Sequence, residues 1–187
     1  TPEMILELVL GYFRHNHGHD FSAALTGPYH RVRDLFEGRY PGYAPCDTPY
    51  HNYPHTLDVF LASARILDGY LYACPDYPEG MAAACLTSAL FHDVGYITKE
   101  TDTLSTGAKY TPTHVERSVQ FLREHNEDFG IDLALVRPLG RMIKATRFAG
   151  DFAEIPFESD EEKIAAAILG SADLIGHYTR KSLSATV

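Results

Sequence analysis

The spacing of apolar positions predicts helices along almost the whole chain. The first helix opens on Thr1-Pro2-Glu3, where Thr suits the cap and Pro the first helical position. Its core face is predicted from apolar residues at helical spacing: Ile5, Leu8, Val9, Tyr12 and Phe13. A second helix is predicted to start at Pro28, because proline is disfavoured inside a helix. A loop rich in proline then runs from residue 41 to residue 49.

The apolar spacing predicts further helices from residue 54 onward. A helix from Pro54 to about Ala73 precedes a nearly all-apolar one, Gly80 to Leu90, which we expect to be buried. Residues 96–110 are polar and rich in threonine, which predicts a mobile loop that could serve as a lid. Further helices are predicted over 113–125, 131–146 and 163–177, with Pro138 making a kink or a fresh start in the second of these. The chain shows neither strand alternation nor a βαβ rhythm, so residues 1–187 are interpreted as one all-α domain of six or seven helices.

The net charge and the cysteine content limit which binding partners and which cellular compartment are expected. The net charge is −9, from 25 acidic and 16 basic residues, which argues against nucleic acid or an anionic membrane as the main partner. No run of about 18 apolar residues is present, so no membrane span is predicted. The three cysteines form no C-x-x-C pair, which disfavours a thiolate zinc site and favours a reducing, cytoplasmic location. The start at Thr1 and the polar end at 179–187 suggest that the chain was once longer at both ends; no oligomeric state is predicted.

Ionisable side chains interrupt the helices that we expect to be buried. His92 and Asp93 close the apolar helix, Asp173 lies in the apolar last helix, and His55 lies in the first turn of the helix at residue 54. Buried charges need compensation, and imidazole and carboxylate groups are good ligands for divalent metals. The sequence therefore predicts a metal site nucleated at His92-Asp93. Asp58, three residues after His55, either orients the His55 ring or is a surface residue.

These motifs resemble the HD superfamily of metal-dependent phosphohydrolases, and within it the class I cyclic nucleotide phosphodiesterases. The phosphodiesterase motif Y-H-N-x-x-H-x-x-D-V is similar to residues 50–59, and the H-D motif to His92-Asp93. The I-x-A-T segment is similar to residues 143–146, and the A-D segment to Ala172-Asp173. The resemblance covers residues 50–177 and implies a bundle of helices around a buried metal site.

The sequence also departs from the phosphodiesterases. Tyr96 stands where they carry a second histidine after H-D, and Arg147 stands where an aspartate follows I-x-A-T. The chain ends at Val187, without the later helices that supply their glutamine and aromatic clamp for the purine. The resemblance therefore implies the metal core and leaves the cyclic-nucleotide specificity open. The segment 172–176 is also similar to shorter bacterial HD phosphohydrolases.

The resemblance implies roles for individual residues. It implies one or two divalent ions (Mg, Mn, Fe, Zn, Ni or Co) with Asp93 as the bridge, a metal-activated hydroxide that attacks phosphorus, and His51 as general acid. The implied metal ligands are His55, His92, Asp93 and Asp173. Further candidates are His114 and Glu116 for a second metal, and Lys99, Lys144 and Arg147 for phosphate contacts.

The function expected from these features is metal-dependent hydrolysis of a phosphate ester or anhydride. A nucleotide or a related small phosphate is the expected substrate, and the choice between phosphodiesterase and phosphomonoesterase or nucleotidase stays open. Two alternatives remain: an HD-type di-iron oxygenase, which would use the same ligands, and a non-catalytic regulatory domain that binds a metal. The presence of His51 argues against the second alternative, because a purely structural site has no use for a general acid.

Overall fold

The computed structural model describes residues 1–148 and 150–184, with side chains up to residue 176. This part of the chain contains seven α-helices and no β-strand, which confirms the predicted all-α fold. The helices are α1 (Pro2–His17), α2 (Ser22–Phe36), α3 (Tyr53–Ala73), α4 (Glu79–Phe91), α5 (His114–His125), α6 (Leu133–Lys144) and α7 (Asp160–Ser184). Three short 3₁₀ helices cover Val94–Tyr96, Gly107–Tyr110 and Phe152–Glu154. The expectation about the polar end at 179–187 lies outside the described side chains.

Helix α4 lies at the centre of the bundle. Every residue from Ala82 to Phe91 is buried, and α2, α3, α6 and α7 pack around it. The buried hydroxyl groups of Thr87 and Ser88 donate to carbonyls of the preceding turn, so neither is left unsatisfied. Because α4 is covered on all sides, it carries the two residues that follow it, His92 and Asp93, into the interior.

Helices α3 and α7 pack together beside the end of α4. The α3 helix begins as predicted near Pro54, because the Asn52 side chain caps it by accepting from the backbone N–H of His55 at 3.2 Å. On α7, Gly176 allows a close approach, since a Cβ there would lie 3.3 Å from Cε1 of the His55 ring. The Tyr50 hydroxyl donates to the Gly176 carbonyl at 3.1 Å and joins the start of α3 to α7.

Hydrogen bonds hold the turn after α4 against α5. The Ser118 hydroxyl donates to the His92 carbonyl at 2.7 Å and accepts from the Gly95 N–H at 2.9 Å. A Cβ at Gly95 would lie 2.0 Å from the His114 carbonyl oxygen, so this close approach requires glycine. The Arg117 guanidinium adds donations to the carbonyls of Gly95 and Ile97. These contacts fix the segment that carries His92 and Asp93.

The predicted loop over residues 96–110 begins where one 3₁₀ helix ends, at Tyr96, and closes with a second one, Gly107–Tyr110. The loop is tied to the body of the protein, since Ala44 N–H donates to the Thr98 carbonyl at 2.9 Å and Gly107 N–H to the Asp47 carboxylate at 2.7 Å. Its mobility stays a prediction.

Three details of the predicted helices are corrected. Helix α2 begins at Ser22 rather than at Pro28, because the buried proline ring packs in the core from inside the helix. Helix α1 uses the neighbouring apolar stripe, with Leu6 and Leu10 buried and Leu8 and Tyr12 exposed. The predicted and the observed stripes share Val9 and Phe13, so spacing alone could not separate them. Helix α6 runs through Pro138, so of the two outcomes expected there the fresh start is wrong, whereas the kink stays a prediction.

No helix in the described part of the chain combines the length and the apolar character that crossing a bilayer requires.

Candidate metal centre

The four predicted metal ligands meet at one buried point. Nε2 of His55 lies 3.4 Å from Oδ2 of Asp93 and 3.3 Å from Oδ1 of Asp173. Nε2 of His92 lies 3.3 Å and 3.7 Å from the same two oxygens. The two histidines are fully buried and the two aspartates nearly so. Donor atoms of His55, His92 and Asp173 lie within 4.8 Å of one another, so these residues could hold one ion.

The hydrogen bonding of the His92 ring shows whether the cluster could hold a metal. Its Nδ1 donates to the Ala89 carbonyl at 2.8 Å, which leaves Nε2 as the unprotonated nitrogen of the neutral ring. That Nε2 is buried and has no hydrogen-bond partner of normal geometry in the described part of the chain. The carbonyl end of α4 also favours positive charge here. A divalent ion satisfies all of these groups, so the residues present fit a metal.

Neighbouring charges in the cluster shift the pKa values of His92 and Asp93. Burial opposes a charge on His92, but the Asp93 and Asp173 carboxylates outweigh it and raise the pKa of His92 to about 9. For Asp93, burial favours the neutral acid, yet the nearby His92 and His51 rings hold its pKa well below its ordinary value. The field that retains a proton in this cluster would also attract a cation.

His51 lies beside the cluster on the side that faces solvent. Its Nδ1 is 2.8 Å from Oδ2 of Asp93, and its side chain is 20% exposed. The sequence could not identify this partner, because the contact joins residues 42 positions apart. His51, His55 and Asp93 also form a second group whose donor atoms could hold a metal. The geometry therefore suits His51 either as the predicted acid or as a ligand.

Tyr96 is a site residue that sequence reasoning noted only as a replaced histidine. Its buried ring stacks on His51, with ring centroids 4.3 Å apart, and on His114, with centroids 4.5 Å apart. Burial raises the pKa of Tyr96 to about 12, so the phenol stays neutral. Its position three residues after Asp93 was the signal available in the sequence. The stack holds two imidazoles on the same side of Asp93.

His114 is brought to the edge of the cluster. Its Nδ1 donates to the Thr111 carbonyl at 2.8 Å, and its Nε2 lies 3.9 Å from Oδ1 of Asp93. The predicted partner Glu116, in the first turn of α5, instead forms an exposed ion pair with Arg147. Glu116 belongs to neither candidate metal group found among the described residues.

A cleft of about 580 Å³ opens above the cluster. Its inner end is lined by buried or half-buried residues, His51, Tyr96, His114 and Asp173, and its outer part by more exposed ones, Glu116, Arg147 and Phe148. This volume lies in the range of small-molecule sites, about 300–1,000 Å³. The cleft therefore connects the candidate metal centre to solvent.

The other predicted contacts lie elsewhere. Lys144 lines a separate cavity of about 240 Å³, which Arg147 also borders. Lys99 is exposed in the loop after the H-D turn and forms a single backbone bridge with Tyr43. Asp58 is exposed, while the His55 ring is buried. Of the three predicted phosphate contacts, Arg147 is the one that borders the cleft.

Comparison with known families supports the metal-binding interpretation. The family model of the HD domain matches residues 52–174, and the chain belongs to this family. HD domains bind divalent metals, and most are metal-dependent phosphohydrolases. The match does not extend to the finer resemblance to class I cyclic nucleotide phosphodiesterases. Searches of curated proteins and of solved structures gave no significant match.

Proposed function

We propose that this protein is a metal-dependent phosphohydrolase that cleaves a phosphate ester or anhydride of a nucleotide or a related small molecule. One observation carries the proposal: a buried group of two histidines and two aspartates lies at the inner end of a cleft large enough for such a substrate. His55, His92, Asp93 and Asp173 would hold one or two divalent ions. When bound, these ions supply a water of lowered pKa and neutralise charge on the phosphoryl oxygens.

The chain's own residues supply proton transfer and positioning. His51 borders the cleft, and its Nδ1 is held by Asp93, so Nε2 is the nitrogen that would give a proton to the leaving oxygen. Stacking on Tyr96 restrains the plane of the His51 ring and limits its rotation. The Arg147 guanidinium at the outer part of the cleft matches the geometry of a phosphate.

A test begins with the metal identity and stoichiometry of the purified protein. The metal-loaded protein is then assayed with Mn, Mg, Ni, Co and Fe on a generic phosphodiester, a generic phosphomonoester and a panel of nucleotides. We expect release of the alcohol from the phosphodiester, or of phosphate from a phosphomonoester or nucleotide, and a chelator should abolish it. Absence of turnover on every substrate, with metal bound, would refute the hydrolase proposal.

A second candidate, an HD-type di-iron oxygenase, is favoured by one observation. His51 and His114 both flank Asp93, so the four central ligands and these two histidines make six potential ligands. Two tightly bound irons, with oxygen consumption in the presence of small organic substrates, would support this candidate. One tight and one loosely bound ion would support hydrolysis.

A further inference from the structure

Arg147 and Phe148 occupy the junction of two clefts. Both residues line the 580 Å³ cleft above the metal centre and a neighbouring cleft of about 390 Å³, and Asp173 borders both spaces. The Phe148 side chain is 98% exposed. An exposed phenyl ring is unfavourable in water, and covering it with a flat ligand ring recovers part of that free energy. A ligand that extends outward from Asp173 therefore passes these two side chains.

The Arg147 guanidinium is the group in the larger cleft that could bind an anionic group of a ligand. Among the described residues that line the larger cleft, Arg147 is the one arginine or lysine, and the nearby carboxylates belong to Glu116 and Asp173. The ion pair of Arg147 with Glu116 is exposed on both sides, 41% and 51%, so water screens it and its net contribution is small. A phosphate offers the guanidinium two parallel hydrogen bonds to a dianion. A phosphate would therefore compete well with Glu116 for Arg147.

We propose that Arg147 and Phe148 form a nucleotide subsite, in which Arg147 leaves Glu116 to bind a phosphate and Phe148 stacks on the base. The inference rests on the proposed phosphohydrolase function and specifies how the substrate is recognised. A nucleotide is the occupant that these features favour, because the flat face of its base matches an exposed phenyl ring and its phosphate matches the adjacent cation. The cleft is also far larger than a phosphate group alone needs.

Two probes separate the base from the phosphate. AMP and ribose 5-phosphate share the sugar phosphate and differ in the adenine. Their affinities are measured by calorimetry on the protein as purified, and the recovered ligand is checked for hydrolysis. We expect the wild type to prefer AMP by about tenfold, the lower part of the range for stacking of a base on an aromatic ring. Phe148→Ala should abolish this preference, and Phe148→Tyr should keep it.

Substitutions in the Arg147–Glu116 ion pair test the proposed contact between Arg147 and the phosphate. Arg147→Met should weaken both probes by a similar factor, about tenfold, because it removes a charged hydrogen bond that both use. Glu116→Gln should strengthen both by a few-fold, because it frees the guanidinium. Tyr72→Ala removes an aromatic ring that is 65% exposed outside the cleft, and it should change neither affinity.

Any of three results would overturn the proposed subsite. The first is a failure of the protein to bind AMP at millimolar concentration, the second is an equal change in the affinities for both probes in Phe148→Ala, and the third is weaker binding of the probes after Glu116→Gln. Failure of the proposed function is read separately, as the absence of turnover in the substrate panel. Turnover without a preference for the base would refute only the subsite. A preference for the base without turnover would refute only the hydrolase proposal.

Discussion

The hydroxyl of Ser118 makes the most testable contact of the metal centre. It is fully buried, donates to the His92 carbonyl and accepts from the Gly95 N–H. Ser118→Ala leaves both backbone groups buried without this partner, each at a cost of about 1–3 kcal/mol. The gain in helix propensity offsets only about 0.5 kcal/mol. We expect a net loss of about 3 kcal/mol in the free energy of unfolding, which corresponds to a Tm lower by about 6–12 °C.

Ser63 offers a matched control for this prediction. It is also a fully buried helical serine, but its hydroxyl has no hydrogen-bond partner in the described part of the chain. Ser63→Ala removes a buried unsatisfied group and should leave the Tm unchanged or raise it. Thermal unfolding followed by circular dichroism measures both variants, and metal analysis should show weaker metal retention for Ser118→Ala alone. Equal Tm values for the two variants would refute the reasoning.

Three further predictions concern the same centre. His92→Ala should lose the bound metal in elemental analysis, whereas His51→Ala should retain it with turnover reduced about 10²–10⁴-fold; metal loss from His51→Ala would make that residue a ligand. Gly95→Ala should lower the free energy of unfolding by about 3 kcal/mol or more, because its Cβ would overlap the His114 carbonyl. Denaturant unfolding measures this loss, and an unfolding midpoint equal to that of the wild type would contradict the prediction. Tyr96→Phe should keep kcat near the wild-type value while Tyr96→Leu lowers it, since the stack needs a ring; equal kcat values would exclude a positioning role.

Local signals in the sequence predicted the elements that carry the site. Pro54 placed the start of α3, and the apolar run before residue 92 identified a buried helix. Both signals act within one or two helical turns, so they can be read from a single chain. The start of α2 was missed because the packing of the Pro28 ring outweighs the local preference against proline in a helix.

Contacts between distant segments were beyond the reach of the sequence. Tyr96 stacks on His51 and His114, residues that come from opposite sides of it in the chain, and no periodicity predicts such a meeting. The pairing of Glu116 with Arg147 likewise depends on how α5 packs against the end of α6. The resemblance supplied the ligand residues, whereas the walls of the cleft required the three-dimensional arrangement.

Asp93 links the buried centre to the cleft. Its Oδ2 lies within 3.4 Å of ring nitrogens of His51, His55 and His92, and its Oδ1 lies 3.9 Å from His114. The side towards His55 and His92 is set by helices packed around α4, so it tolerates little variation. The side towards His51 and His114 is set by Tyr96 and by segments at the protein surface. Asp93 therefore joins one side that the packed helices fix to another side that is open towards the cleft.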